Sequence, residues 1–171
     1  MNKTLETILT RKSIRKFKND LISEEDVKLI LEAAMQAPSA CNQQIWQFIL
    51  INQKELLNKL SLRHGGITFA KDAPCAILVC GEPKAATLKE YWREDCAAAS
   101  LNILLAAHSL GIGSTWSGIS YDDIASVKNI QALLNIPEQY IPFSLIVLGY
   151  PDEDRTTSKR FNANKVHYNQ W

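Results

Sequence analysis

The chain has 171 residues, 46% of them hydrophobic. That is enough for one domain with a substantial core, and too apolar for a disordered segment. Nineteen basic and eighteen acidic side chains leave a net charge of +1, which gives no support for a general nucleic-acid or membrane surface, so any basic function is local.

No apolar run reaches the length of a membrane span, and no apolar signal core follows Met1-Asn2-Lys3-Thr4. The expectation is a cytoplasmic protein with neither membrane nor nucleic-acid partner. Cys41, Cys75, Cys80 and Cys96 form no CxxC pair and have no histidine at zinc spacing. They read as buried free thiols in a reducing compartment, and no metal is expected.

Leu5, Ile8 and Leu9 make a short apolar turn pattern. Arg11-Lys12-Ser13-Ile14-Arg15 follows, with three cations and a hydroxyl in five residues. Such a run suits a phosphate, because each group donates to an anionic oxygen without needing deprotonation. It also reads as a solvated basic turn.

Ser23 opens the first long helix, with Asp26 three residues on and Ile22 and Val27 placed as a hydrophobic staple. Val27, Ile30, Leu31 and Ala34 keep helical spacing. Pro38 stops the helix and pushes Ala37 toward extended geometry. The stretch from Ala37 to Trp46 is therefore a helix-to-strand loop, where binding residues often sit.

Trp46 to Ile51 reads as an interior strand, and Lys54 to Leu60 as a short helix with Leu56, Leu57 and Leu60 on one side. Arg63 to Gly66 reads as a loop. Cys75 to Cys80 is a second strand, stopped by Gly81-Glu82-Pro83. Tyr91 to Leu110 is the longest helix and is apolar on nearly every side, so it is buried in a core or against a partner. Gly111 is placed to cap it.

Gly113 to Gly118 reads as a tight segment, and Ser120 with Asp123 as the start of a helix through Ile124, Val127, Ile130 and Leu134. Pro137 and Pro142 bracket a loop. Phe143 to Leu148 is a third strand. The tail from Asp152 to Trp171 has no clear period and reads as disordered or laid across another surface. The order of elements predicts an α+β fold, a sheet flanked by helices. There is no GxGxxG and no GxxxxGK[ST], so neither a Rossmann nor a P-loop site is indicated. His64, His108 and His167 have no partner spacing that argues catalysis.

Arg11 to Arg15, Ala37 to Asn42 with Gln44 and Trp46, Asn102 to Gly113, Trp116-Ser117-Gly118, Leu148 to Pro151 and Val166 to Trp171 occur in an order that resembles the nitroreductase family. The resemblance covers nearly the whole chain and implies one FMN-binding domain over 1–171. The implied fold is a central mixed, mostly antiparallel sheet flanked by helices, with the C-terminal tail extending onto a partner subunit.

It also implies an FMN-dependent oxidoreductase that uses NADH or NADPH to reduce nitro compounds, quinones or related acceptors by a ping-pong mechanism. Arg11 and Ser13 would bind the FMN phosphate with Lys12 close by, and Lys159 and Arg160 would return to it from the tail. Arg15 would face the pyrimidine edge. Pro38, Ser39, Ala40 and Asn42 would line the ring or ribityl chain from the other subunit of a homodimer. Trp116, Ser117 and Gly118 would lie over the ring. No protein acid or base is required, since the cofactor carries the chemistry. The family usually has proline where Ile45 stands. A flavin storage or sensor protein, or an oxygen-dependent or dehalogenating relative, are the alternatives.

Overall fold

The computed structural model describes residues 2–62, 65–157 and 159–171. Arg63 and His64, read from the sequence as part of a loop, lie outside the described residues.

Four strands form one sheet: β1 (Trp46–Ile51), β2 (Cys75–Gly81), β3 (Gly113–Gly118) and β4 (Ile141–Gly149). The spatial order is β1-β2-β4-β3, and every neighbouring pair is antiparallel. The parallel component expected of a mixed sheet reduces to an isolated bridge between Ser13 and Ser114.

The two central strands explain the layering. Along β2, Cys75, Ile77 and Val79 enter one apolar cluster, while Ala76, Leu78 and Cys80 enter another. Side chains alternate across a sheet, so β2 divides its residues between the two faces. Both faces are covered, which is why the strand reads as unbroken hydrophobic sequence without polar alternation.

The helices are α1 (Lys3–Thr10), α2 (Glu24–Met35), α3 (Lys54–Ser61), α4 (Trp92–Ser109) and α5 (Ile124–Leu134). Helix α4 shares the first cluster with α2, and Asn102 Nδ2 ties the two by donating to Ala33 O at 2.9 Å. Small residues let α4 approach the sheet: Ser100 Oγ meets Ser144 Oγ at 2.8 Å. Leu101 on α4 stays 47% exposed, so the chain does not cover this apolar helix by itself. Helix α1 buries none of its residues and presents Leu5, Ile8 and Leu9 to solvent.

The helix termini follow local rules. Ser23 Oγ accepts from Asp26 N at 3.0 Å to start α2. Gly111, at φ 75, closes α4. Its N–H reaches His108 O, and that of Ile112 reaches Ala107 O, the paired bonds of a Schellman motif.

Further sequence expectations change. Strand β1, read as interior, lies at an edge of the sheet beside β2, because its own run is only partly buried. The segment 113–118 is a strand, not a tight loop, because β4 supplies a full ladder from Gly113↔Gly149 to Gly118↔Ser144. Helix α5 starts at Asp123, whose carboxylate accepts from Ser126 N at 3.0 Å, and not at Ser120. Pro142 lies within β4, opposite Cys80, where the register shifts. A bulge tolerates a residue without an N–H.

Among the described residues no helix is long and apolar enough to cross a membrane.

Candidate cofactor site

Helix α1 ends at Thr10, and Arg11 turns the chain into extended geometry at φ −56, ψ 131. The segment that follows crosses the ends of β3 and β4. Ile14 N donates to Ser114 O at 3.0 Å, and Lys18 N donates to Tyr150 O at 2.9 Å. The Thr115 hydroxyl donates to Ile14 O. Ile14 and Phe17 are buried anchors, whereas Ser13 is half-buried and Arg15 exposed. Two glycines make room for the anchors. A Cβ on Gly113 would sit 2.9 Å from Ile14 Cβ, and one on Gly149 would sit 2.8 Å from Phe17 Cδ1.

Arg11, Lys159 and Arg160 line one cavity of about 430 Å³, with Ile8, Leu9, Thr157 and Phe161 completing its wall. Among the described residues no carboxylate lines it. Burial, and then the positive charge of Arg160, push the Arg11 pKa below its usual value. Crowded like charges without a carboxylate define a place for an anion, and a phosphate monoester fits this donor set.

Lys12 is not among the residues that line that cavity. Its Nζ reaches Asp154 Oδ1 at 3.3 Å and also donates to Arg155 O. The Arg15 guanidinium stands 6.0 Å from the Phe69 ring centroid.

Glu153, which the sequence reading did not single out, fixes the backbone here. Its Oε1 accepts from Arg15 N at 2.6 Å and from Lys16 N at 3.2 Å, and its Oε2 accepts from Arg155 Nε at 2.9 Å. The hydrogen bond from Arg15 N is the first cause of its lowered pKa. Thr10 is the other anchor. Its hydroxyl donates to Glu6 O at 2.7 Å, which leaves Oγ1 to accept from His108 Nε2 at 2.9 Å.

The second segment is a strained turn. Residues Ala40–Asn42 form one 3₁₀ turn, and Cys41, Asn42 and Gln44 have φ of 48, 53 and 47. Positive φ is costly for residues with a Cβ, and such strain concentrates at functional sites. Ser39 Oγ accepts from Gln44 N at 3.0 Å. Ala40 N donates to Asp95 Oδ1 at 2.8 Å, and Gln43 Nε2 donates to Asp95 Oδ2 at 2.6 Å. Ala37 and Ile45, on either side of the turn, are buried in the α2–α4 cluster. The Ile45 carbonyl accepts from Glu82 N at 3.1 Å.

At the third segment Trp116 is half-buried and packs edge-on against Phe143, with centroids 5.8 Å apart. Ser117 is buried and Gly118 exposed. Trp92 joins the same aromatic layer through Phe143 and Tyr121, and Arg93 lies 4.6 Å over the Tyr121 ring.

Within the chain these segments do not all converge. Arg11, Lys159 and Arg160 do, with Ser13 alongside Ser114 on β3. The Ser39–Gln44 turn is held by Asp95 near the start of α4, whereas Thr10 is held by His108 near its end. Thirteen residues separate those two anchors, or ~20 Å along a helix. Among the described residues no cluster of His, Cys, Asp and Glu could hold a metal ion.

The sequence reading missed Asp95, Glu153 and His108 because each acts across a long separation.

The nitroreductase family model matches residues 8–66 and 62–150. A protein of Methanothermobacter thermautotrophicus, named as a candidate NADH dehydrogenase/NAD(P)H nitroreductase, is 44% identical over 167 residues, covering 98% of this chain and 87% of its own. The structure of an FMN-dependent nitroreductase from Clostridium difficile matches with a TM-score of 0.91 at 33% identity, over 98% of this chain and 99% of that one. The NADPH:FMN oxidoreductase of Vibrio harveyi, complexed with NAD⁺, matches with a TM-score of 0.85 at 28% identity, over 99% and 78%. The fold is thus that of flavin-dependent reductases, and the chain belongs to the nitroreductase family.

Proposed function

We propose that the chain is one FMN-binding domain, residues 1–171, of an oxidoreductase that uses NADH or NADPH to reduce nitro compounds, quinones or related acceptors. The carrying observation is the carboxylate-free cavity where Arg11, Lys159 and Arg160 meet. The names of the reductases it resembles support the cofactor and the reductant.

When bound, FMN would supply the two-electron chemistry between nicotinamide and acceptor. The residues of the chain bind and orient. Arg11, Lys159 and Arg160 neutralise the phosphate, and Ser13 donates to it. Lys12 contributes positive charge while braced by Asp154. Arg15 faces the pyrimidine edge and favours negative charge there. Pro38, Ser39, Ala40 and Asn42 would line the ring or ribityl chain, and Trp116, Ser117 and Gly118 would lie over the ring.

The active form in this reading is a homodimer with shared sites. The separation of the two anchored segments along α4 supports this, as do the exposed apolar residues of α1 and the tail. Phe161 is 85% exposed and Trp171 fully exposed. The tail then crosses the partner, and each site takes its phosphate residues from one subunit and Ser39–Asn42 from the other.

The test is a fluorescence titration of apoprotein with FMN, paired with sedimentation. Tight FMN binding by a dimer is expected. A protein that binds no FMN would overturn the cofactor reading, and a monomer that binds it tightly would overturn the shared site.

A further inference from the structure

We propose that Asp95 is a positioning residue that clamps the Ser39–Gln44 turn in the shape it presents to the flavin; this rests on the cofactor reading above. Asp95 is 3% exposed and is the one charged side chain among the described buried residues. No ion pair among the described residues engages it. Its two oxygens instead receive Ala40 N and Gln43 Nε2, one from each end of the turn's tightest bend.

A turn with three non-glycine residues at positive φ opposes its own backbone preferences, so it needs an outside tie. The tie here is a carboxyl mounted on α4, whose small residues pack it against the sheet. The polarity of the clamp is fixed from beyond the turn. Leu88 N donates to Gln43 Oε1 at 3.1 Å, and Gln43 Nε2 also approaches Leu88 O at 3.3 Å. Gln43 therefore cannot turn its amide over without losing Leu88, and it must present a donor to residue 95. Only an acceptor completes the arrangement, which explains a buried carboxyl in the first turn of α4. Ser39 and Asn42 inherit the order, since Asn42 N donates to Ser39 O and Gln44 Nε2 donates to Asn42 Oδ1.

The experiment titrates full-length protein with FMN and with riboflavin, which lacks the phosphate. Asp95→Asn keeps the volume and one acceptor but sets an amide donor against Gln43 Nε2. Because the turn serves the ring and ribityl chain, both flavins should bind roughly ten-fold more weakly, with their affinity ratio unchanged. The visible circular dichroism of the bound flavin should change. Adding Gln43→Glu to Asp95→Asn restores a donor–acceptor pair at that contact but gives up the donor to Leu88 O, and should recover part of the loss.

Gln43→Met removes the same bridge from outside the helix and should reproduce the loss even if Asp95→Asn fails to fold. Wild-type affinity and dichroism in Asp95→Asn, or in Gln43→Met, would overturn the proposal. So would a loss confined to FMN. A wild-type chain that binds neither flavin would overturn the cofactor reading itself, which the wild-type titration alone reveals.

Discussion

Gly113 faces Gly149 across β3 and β4, and the segment that carries Arg11 and Ser13 lies over both. Ile14 fills the space beside one glycine and Phe17 the space beside the other. The position of the Arg11–Ser13 segment is therefore set by two absent side chains. Gly113→Ala should push Ile14 outward and cost about 1–3 kcal/mol, as overpacking does. A denaturant melt should show the loss, and an FMN titration should show weaker binding. Unchanged stability and affinity would mean that Ile14 is free to move.

Arg11→Ala removes a charge-assisted contact while leaving the packed anchors in place. FMN should bind about 1.5–3 kcal/mol more weakly, roughly ten- to a hundred-fold. Riboflavin affinity should not change, and the fold should survive when FMN is supplied. An unchanged FMN affinity would make Arg11 a surface charge only.

Thiol labelling should distinguish Cys41 from the other three cysteines. Cys75, Cys80 and Cys96 are buried, and burial pushes the first two thiols up to about 12. Cys41 is exposed in the strained turn, so the expectation of four buried thiols does not hold for it. The native protein should react at one thiol per chain with a charged disulfide reagent, and bound FMN should slow that reaction. Fast labelling at more than one site would contradict the packing of β2 and α4.

His108 gives a pH dependence of defined sign. Burial, then the charges of Arg11 and Lys12, hold its pKa below the ordinary 6.5. The unfolded chain therefore binds more protons than the folded one as pH falls below 6.5. The contribution to stability is whole above that value and is lost on the way down to the folded pKa. Melting temperatures measured across this range should fall more steeply for wild type than for His108→Gln. Parallel curves would show that the imidazole does not titrate against folding.

Local signals account for much of what the sequence made legible. The periodicity of α2, the long apolar run of α4, the apolar runs of β1 and β2 and the cap at Gly111 are all local features. Strand β3 was missed because Gly113-Ser114-Thr115-Trp116-Ser117-Gly118 has turn composition. Only its ladder with β4 makes it a strand, and a ladder partner 30 or so residues away leaves no local trace. The ordered motifs pointed to the cationic pocket, and Lys159 and Arg160 do meet Arg11 there. The clamps could not be read. Glu153 on Arg15 N, Asp95 on Ala40 N and His108 on Thr10 bind backbone or hydroxyl atoms that any sequence possesses.

The central claim is that a flavin held here passes hydride from a nicotinamide to an acceptor. Anaerobic addition of NADH and of NADPH to the FMN-loaded protein, followed by a quinone or a nitroaromatic, tests it most directly. At least one nicotinamide should bleach the visible flavin band, and the acceptor should restore it. A band that neither nicotinamide bleaches under strict anaerobiosis would contradict the reductase and leave a protein that only holds FMN.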